Sequence, residues 1–386
     1  MIAGSASSTH APIRLGMVGG GTGAFIGAVH RIAARLDGEF QLVAGALSST
    51  PEKARASAEA LGLARSYDDF AAMAKGEARR KDGIEAVAIV TPNHMHAAPA
   101  IEFLKRGIHV ICDKPLTATL AEARKLAAAA EKSGALFILT HNYTGYPMVR
   151  QARAMVGASD LGRIRLVQVE YVQDWLTQAA EKSGSKQAEW RTDPERSGAG
   201  GATGDIGTHA YNLACFVSGL TPQALAADLS SFVPGRPLDD NAHVLLRFHG
   251  GAKGMLWASQ VAPGNENGLR LRVYGEKGGL DWAQEDPNRL WFTPYGAEKR
   301  LITRNGVGAG PEAARMSRIP PGHPEGYLEA FANIYAEAAR AIRAFRTGAA
   351  PPAGTLYPTL ADGLAGMRFV DACVRSSTRN AAWVTL

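Results

Sequence analysis

The chain has 386 residues, of which 46% are hydrophobic and 20% charged, and its net charge is +6. This length suits two domains, and the composition is typical of a soluble globular protein. The basic residues are scattered rather than gathered into a stripe with aromatic residues, which argues against a nucleic-acid partner. No apolar run reaches the length of a membrane span, and the first dozen residues lack the regions of a signal peptide. Three cysteines among apolar neighbours favour reduced thiols, so we expect a cytoplasmic protein without a membrane partner.

A glycine-rich turn lies between the first predicted strand and the first predicted helix. The strand covers residues 13–18, Gly19-Gly-Gly-Thr-Gly-Ala24 follows it directly, and helical apolar spacing predicts a helix over 25–36. The turn fits the pattern G-x-G-x-x-A, whose glycines let main-chain N–H groups approach a pyrophosphate at the helix start. A lone glycine motif is weak, but strand, turn and helix in this order predict a dinucleotide-binding unit.

The end of the second predicted strand bears on which dinucleotide is bound. That strand covers residues 40–47, and an acidic residue at its end would bond to the ribose hydroxyls of NAD. Ser48 and Ser49 stand there instead, and Lys53 and Arg55 follow a few residues later. Because serine hydroxyls can serve either cofactor, we expect NAD as the cofactor without excluding NADP.

Strands and helices continue to alternate up to about residue 143. The predicted segments are a helix over 51–61, a strand over 86–90, a helix over 97–106, a strand over 110–112, a helix ending at 132 and a strand over 136–140. This alternation predicts βαβ units in a doubly wound parallel sheet. We expect an N-terminal Rossmann domain over 1–143, with a flexible start over 1–12, and a second domain over 144–386. The C-terminal helices could pack back on the first domain.

Lys114 follows one of these strands at a position suited to chemistry. The buried run Val110-Ile-Cys112 ends in Asp113-Lys114-Pro115. In open parallel sheets, ligands bind beyond the carboxyl ends of the strands. Taken alone, however, Asp113 and Lys114 are slightly better interpreted as two solvated residues in a tight turn. The other motifs of the chain determine whether this or the functional interpretation is preferred.

The spacing His94-x-His96, after the strand over 86–90, admits a metal site as an alternative. Such a site needs further ligands, for which Asp205 or His209 would have to serve, and no dense cluster accompanies the pair. We therefore expect no metal, and we interpret this segment as a loop that lies against a cofactor or substrate.

Beyond residue 162 the pattern changes to alternating polar and apolar residues, which is typical of strands with one covered face. The predicted strands are 163–172, 225–232, 242–248, 254–261, 269–274 and 290–292. Short connections predict an α+β domain with a large, mostly antiparallel sheet, one face of which is covered by helices or by another subunit. Two helices, over 324–345 and 359–376, complete the chain.

A second group of candidate residues lies between the first two of these strands. Glycines crowd the sequence up to Asp205, where a helix is expected to begin, and Asp205, His209 and Asn212 share one face of it. Asp205 could simply cap the helix, and His209 could be a buried core histidine. A carboxylate and an imidazole one turn apart also suit proton transfer.

In this order and spacing, the motifs resemble the glucose-fructose oxidoreductase / inositol dehydrogenase / MocA family nearly end to end. The resemblance is carried by the following segments: Gly19-Gly-Gly-Thr-Gly-Ala24, Thr91-Pro-Asn93, Asp113-Lys-Pro115, Asn142-Tyr143, Gly204-Asp-Ile-Gly-Thr-His209, and Tyr357-Pro358 to Trp383. The stretch after the glycine turn and the loop from Trp175 to Arg191 are most similar to inositol and L-glucose dehydrogenases.

The chain departs from the family pattern at two positions. Asp113 stands where the family usually has a glutamate, which shortens the side chain by one methylene group and should leave the role of Lys114 intact. Asn212 stands where the family has a second aspartate after His209, which puts the hydrogen-bonding role of that carboxylate in doubt.

The resemblance implies a Rossmann domain followed by a sheet-bearing domain that pairs protomers into dimers or tetramers. It further implies NAD(P)-dependent oxidation of a secondary hydroxyl on a sugar or cyclitol. His209 would be the general base, Asp205 would orient it or the substrate, and Lys114 would stabilise the charge on the reacting oxygen. The alternatives are an NAD-dependent glycosidase that acts through a transient oxidation, and a non-catalytic nucleotide sensor.

The predicted site residues fall into two groups. The cofactor contacts are Gly19, Gly21, Thr22, Gly23, Ala24, Phe25, Ile26, Ser48, Ser49, Thr91, Asn93, His96, Asp113 and Lys114. The substrate contacts are Lys114, Tyr143, Trp175, Trp190, Arg191, Asp205, His209 and His323. Aromatic faces and the planar donors of arginine suit polyols, which is why the tryptophans and Arg191 are included.

Overall fold

The computed structural model describes residues 10–386, and its chain divides into two compact units. The first unit comprises the chain up to Thr117 together with Ala121–Gly145 and Tyr327–Leu364; the second comprises Ala118–Leu120, Tyr146–Gly326 and Ala365–Leu386. The expected flexible start over 1–12 falls mostly on residues 1–9, outside the described part. Within residues 10–386, no helix is both long and apolar enough to cross a bilayer.

The helices and strands are numbered in chain order. The strands are β1 (Ile13–Gly19), β2 (Phe40–Ala46), β3 (Arg65–Ser66), β4 (Ala86–Val90), β5 (His109–Cys112), β6 (Phe137–Leu139), β7 (Ile164–Val172), β8 (Pro222–Ser230), β9 (Asn241–Phe248), β10 (Lys253–Ser259), β11 (Gly268–Gly275), β12 (Gly278–Ala283), β13 (Arg289–Pro294), β14 (Arg300–Thr303) and β15 (Val384–Thr385). The helices are α1 (Phe25–Leu36), α2 (Pro51–Ala60), α3 (Phe70–Glu77), α4 (Ala97–Leu104), α5 (Leu120–Ser133), α6 (Pro147–Gly157), α7 (Lys186–Arg191), α8 (Pro194–Ser197), α9 (Thr208–Ser218), α10 (Pro311–Ala314), α11 (Tyr327–Arg346) and α12 (Leu360–Ser377).

The first unit contains a six-stranded parallel sheet in the order β3-β2-β1-β4-β5-β6. This is the strand order of the doubly wound dinucleotide-binding fold, so the predicted Rossmann sheet is confirmed. The central strands β4 and β5 are buried along their whole length, as their continuous apolar runs predict. The two-residue strand β3 and the helix α3 were not predicted.

Helix α11 belongs to this first unit although it lies near the end of the sequence. Its apolar face packs on α1, where Phe331, Ile334 and Tyr335 join Val29 and Ala33 in one buried cluster. The first unit is therefore completed by a segment that follows strands β7 to β14 in the chain.

The second unit contains a nine-stranded sheet in the order β14-β13-β12-β11-β7-β10-β9-β8-β15. Every neighbouring pair is antiparallel except β7 and β10, so the expected mostly antiparallel sheet is confirmed. Along β9, buried and exposed residues alternate from Ala242 to Phe248. Helix α9 packs against strands β7, β10 and β11 of this sheet. The strands β12, β14 and β15 were not predicted.

Gly20 and Gly27 bring α1 into direct contact with the glycine turn. Gly20 has φ +68°, and a Cβ atom there would lie 3.0 Å from the Cα of Gly27. A Cβ atom at Gly27 would overlap the carbonyl oxygen of Gly20. Because both obstacles are main-chain atoms, only glycine allows this close approach of helix and turn.

We expect Gly27→Ala to lower the stability of the first unit by about 1–3 kcal/mol, because its methyl group forces α1 away from the turn. Thermal unfolding and the Kd for NAD measure the effect, and both should worsen. Gly157→Ala is the matched control. It lies in a helix with no atom within 4 Å of the added carbon, so stability should stay equal or rise by up to about 1 kcal/mol. Equal effects of the two changes would contradict this account.

Candidate active site

The glycine turn after β1 is built as the sequence predicts and is tied to the end of β2. Gly19, Gly20 and Gly23 all have positive φ. The N–H of Gly21 donates to the carbonyl of Leu47 at 3.2 Å. The N–H of Thr22 donates to Ser57 Oγ at 3.1 Å. The turn therefore has a fixed conformation before any ligand binds.

The start of α1 presents main-chain N–H groups. Ala24 occupies the N-cap position and offers no side-chain acceptor to them, while Phe25 beside it is 69% exposed. The guanidinium of Arg31 donates to the Gly20 carbonyl, and partial burial lowers the pKa of Arg31. Positive-φ glycines and an uncapped helix start suit a pyrophosphate, so these residues fit a dinucleotide.

Two serine hydroxyls follow β2, and α2 after them carries a guanidinium that is already paired. Ser49 is exposed, and Ser48 Oγ accepts from the N–H of Thr50 at 3.2 Å. Arg55 pairs with Asp68 at 2.7 Å and with Glu52 at 3.4 Å.

The loop after β4 lies beside the glycine turn. A Cβ atom at Gly19 would come within 2.8 Å of Thr91 Cγ2, and the Thr91 hydroxyl donates to the Met95 carbonyl at 3.0 Å. Asn93 is buried within this loop. The structure thus brings the predicted cofactor contacts Thr91 and Asn93 next to the turn.

His96 is completely buried, and burial lowers its pKa. Its Nδ1 lies 2.8 Å from the carbonyl oxygen of Pro115, and its Nε2 lies 2.8 Å from that of Thr91. The ring therefore links the segments after β4 and β5. Within residues 10–386, no group of three or more histidine, cysteine or acidic side chains is arranged to hold a metal ion.

Asp113, directly after β5, is held by main-chain and side-chain donors. Its Oδ1 accepts from the N–H of Lys114 at 2.9 Å and from the hydroxyl of Thr140 at 3.1 Å. Burial acts to raise the pKa of Asp113, but the neighbouring His30 and Lys114 lower it to about 2. The carboxylate is therefore ionised and only 14% exposed, so Asp113 is not a solvated turn residue. The Lys114–Pro115 peptide bond is cis.

Two further predicted substrate contacts are a buried tyrosine of the first unit and an exposed histidine of the second. Tyr143 lies in a 3₁₀ turn over Asn142–Gly145 in the first unit and is 4% exposed. His323, in the second unit, has an exposed side chain, and its carbonyl accepts from the guanidinium of Arg304.

In the second unit, Asp205 lies in a π-helical turn over Thr203–Gly207 that leads into α9. Its Oδ2 accepts from Arg191 Nε at 3.2 Å and from Gln260 Nε2 at 2.9 Å. Asp205 is therefore not a helix cap. A π-helical turn usually occurs as a single turn inserted in an α-helix, frequently at a functional site.

The predicted aromatic contacts gather around Arg191. Its guanidinium lies 4.2 Å from the ring centre of Trp190 and 5.9 Å from that of Trp175. Trp175 Nε1 donates to Gln173 Oε1 at 3.1 Å. Arg191, Trp175 and Trp190 thus form a polar and aromatic wall beside Asp205.

His209 is 6% exposed and lies beside Tyr171, whose ring centre is 6.1 Å away. The Tyr171 hydroxyl donates to Asn267 Oδ1 at 2.8 Å, and Gln173 donates to the same oxygen at 2.9 Å. Asn212 is 8% exposed, and its Oδ1 has no hydrogen-bond partner among the described residues.

Asp239 fixes the glycine-rich stretch that precedes Asp205. Its carboxylate accepts from the N–H of Gly201 at 2.7 Å and from both the N–H and the hydroxyl of Thr203 at 2.8 Å. Burial raises the pKa of Asp239 although these bonds act to lower it.

Several residues of these two groups were missed by sequence reasoning. They are Arg31 in the first unit and Tyr171, Gln173, Asp239, Gln260 and Asn267 in the second. Gln173 and Gln260 directly follow β7 and β10, the one parallel pair of the second sheet, so strand ends were a usable signal. Arg31, Asp239 and Asn267 carried no such signal.

Known families and structures match both units. A family described as an oxidoreductase family with an NAD-binding Rossmann fold matches residues 13–141, and the GFO/IDH/MocA C-terminal domain matches residues 149–281. An oxidoreductase from Sinorhizobium meliloti is 66% identical, with a TM-score of 0.89 over 97% of this chain and 100% of that one. An inositol dehydrogenase homolog from Azotobacter vinelandii, solved with NADH and myo-inositol, is 38% identical, with a TM-score of 0.91 over 97% and 98% of the two chains.

A curated relative is more distant. Levoglucosan dehydrogenase from Pseudarthrobacter phenanthrenivorans is 27% identical over 96% of this chain and 97% of its own length. With the matches to both units, these similarities show that the chain belongs to the glucose-fructose oxidoreductase / inositol dehydrogenase / MocA family. It is an NAD-binding oxidoreductase of the inositol and sugar dehydrogenase type.

Proposed function

We propose that the protein oxidises a secondary hydroxyl of a cyclitol or sugar with NAD as the cofactor. The observation that carries this proposal is the cluster of Arg191, Trp190 and Gln260 around Asp205, one helical turn before His209. A fixed carboxylate, planar donors and aromatic faces suit a ring bearing several hydroxyls. The similarity to a homolog solved with NADH and myo-inositol supports the same substrate class.

Three side chains would handle the proton and the charge of the reaction. His209 would take the hydroxyl proton as general base, because an imidazole titrates near neutral pH. Lys114 would donate a hydrogen bond to the same oxygen and stabilise its developing negative charge. Asp205, held by Arg191 and Gln260, would orient the imidazole or accept from a substrate hydroxyl. When bound, NAD would supply the acceptor for the hydride.

The glycine turn and the end of β2 would hold the cofactor. The N–H groups after Gly23 would bind the pyrophosphate, and the hydroxyls of Ser48 and Ser49 would bond to the ribose. We propose NAD rather than NADP because the guanidinium of Arg55 already pairs with two carboxylates. Pairing of this kind leaves it less able to bind a 2′-phosphate.

A substrate panel tests the proposed reaction. Inositols, D-glucose, L-glucose, anhydro sugars and glycosides would each be offered with NAD and with NADP, and formation of the reduced cofactor would be followed. We expect steady NADH production with at least one free polyol. Cleavage of a glycoside without net NADH would instead identify a glycosidase, and NAD binding without turnover on any compound would identify a nucleotide sensor.

Lys114→Met should reduce kcat about 100- to 1000-fold, because the donor to the reacting oxygen is lost. The Kd for NAD, measured by titration of NADH fluorescence, should change only a few-fold. Lys105→Met is the matched control, since Lys105 is exposed on the first unit and lies at the end of α4. Near-normal turnover of the Lys114 variant would rule out the proposed role.

We also propose that the open face of the second sheet pairs two copies of the chain. Strand pairing places three apolar cross-strand pairs on this face: Leu245 with Met255, Leu166 with Tyr274, and Trp291 with Leu301. Their exposed fractions lie between 37% and 52%.

Four charged side chains of this face form ion pairs within it. Arg270 pairs with Asp281 at 2.6 Å, and Arg272 pairs with Glu170 at 3.2 Å. Apolar side chains flanked by charges that are already paired can meet an identical face with fewer ions left unpaired. The predicted dimer or tetramer through this sheet remains a proposal.

Replacing Leu245 and Met255 together by lysine should therefore convert the oligomer to a monomer, because the two adjacent cations would face their symmetry-related copies. Sedimentation velocity gives the mass of each form. Val307→Lys changes an exposed apolar residue of a loop outside the sheet and should leave the mass unchanged. A wild-type protein that sediments as a monomer would contradict the proposed pairing.

A further inference from the structure

His30 is a buried histidine of α1 to which neither the sequence motifs nor the proposed mechanism gives a role. It is 0% exposed and lies one turn after Gly27. Its Nδ1 lies 2.8 Å from the hydroxyl oxygen of Tyr335 on α11, and the ring of Phe331 packs against it at 5.2 Å. The imidazole is therefore fixed on one side by a hydrogen bond and on one face by an aromatic ring.

The other ring nitrogen faces Asp113. His30 Nε2 lies 3.9 Å from Asp113 Oδ1, which is too long for a hydrogen bond, and it has no hydrogen-bond partner among the described residues. A buried polar atom in this position interacts with the carboxylate electrostatically, and little solvent screens it.

These two contacts select one tautomer of the ring. Burial raises the pKa of Tyr335, so its hydroxyl keeps its proton and can donate to Nδ1. The ring proton then resides on Nε2 and points toward the carboxylate of Asp113. The opposite tautomer would place the lone pair of Nε2 against that negative charge, which is unfavourable at low dielectric constant.

Asp113 in turn fixes the backbone of Lys114. The Oδ1 atom that faces His30 also accepts from the N–H of Lys114 at 2.9 Å and from the hydroxyl of Thr140 at 3.1 Å. Any rotation of this carboxylate toward or away from His30 would therefore disturb the residue that carries the lysine side chain.

We propose that His30 is a positioning residue: its Nε2–H, fixed by Tyr335, holds the Asp113 carboxylate in the orientation that sets the main chain of Lys114. This inference rests on the proposed catalytic role of Lys114. It couples the helix that follows the glycine turn to the residue after β5, so the cofactor helix and the lysine keep one relative position within the first unit.

Two amide substitutions separate the two ring nitrogens. Glutamine places its N–H₂ near the position of Nε2, whereas asparagine can reach only the position of Nδ1. We expect His30→Gln to keep kcat within a few-fold of wild type and His30→Asn to lower it about 10- to 100-fold, which is typical of a mispositioned catalytic group. In both variants the Kd for NAD should stay within a few-fold of wild type.

A packing control distinguishes positioning from stability. Val29→Ala removes buried volume from the same helix, and it should lower the melting temperature while leaving kcat nearly unchanged. Equal kcat for His30→Asn and wild type, or an equal loss of kcat in Val29→Ala and His30→Asn, would overturn the inference. Tyr335→Phe removes the donor to Nδ1, so the ring is free to adopt the other tautomer, and it should lower kcat in the same direction as His30→Asn.

A spectroscopic readout makes the test independent of turnover. The ¹⁵N chemical shifts of the His30 ring, assigned by comparison with His30→Gln, should report the Nε2–H tautomer in wild type and in Lys114→Met alike. The opposite tautomer would overturn the inference whatever the activity. If Lys114→Met kept full turnover, the proposed catalysis would fail; if only His30→Asn kept it, the positioning role alone would fail.

Discussion

The first unit depends on the close contact between Gly20 and Gly27. Because neither residue has a side chain, α1 begins directly at the glycine turn, and the uncapped N–H groups of its first turn lie at the proposed pyrophosphate site. The same contact sets how closely α1 packs against the sheet. One turn later in α1, His30 lies near Asp113, which directly follows β5. The position of α1 thus determines both where the proposed cofactor site lies and how close His30 comes to Asp113.

In the second unit, the candidate residues are positioned by different structural elements. Its sheet is mostly antiparallel, and the candidate residues come from a π-helical turn, a tryptophan-bearing helix and two strand ends. Asp239 holds the glycine-rich stretch by three hydrogen bonds, so the position of Asp205 is fixed by a buried carboxylate outside the motif. Arg191 and Gln260 then orient the Asp205 carboxylate. The chemistry of this unit therefore rests on contacts between residues far apart in sequence.

This difference explains what could be predicted. The bounds of α1 and β4 match the sequence expectation, because apolar periodicity and a glycine turn are local signals. Asp205 was expected at a helix start, yet the backbone there forms a wider turn, which no side-chain pattern encodes. Gln260 lies 55 residues after Asp205, and their hydrogen bond forms where β10 packs against the π-helical turn. Such contacts follow from tertiary packing, which local patterns do not specify.

The two departures from the family pattern have a common physical consequence. With aspartate at 113, the carboxylate oxygen Oδ1 lies 3.9 Å from His30 Nε2, and that nitrogen lacks a hydrogen-bond partner among the described residues. With asparagine at 212, a buried amide oxygen is likewise left without one. Each unsatisfied buried group costs about 1–3 kcal/mol. Neither departure adds a charge, and Asn212 lacks the carboxylate that an aspartate would bring to α9. Asp205, one helical turn before His209, keeps its carboxylate, which is paired with Arg191 at 3.2 Å.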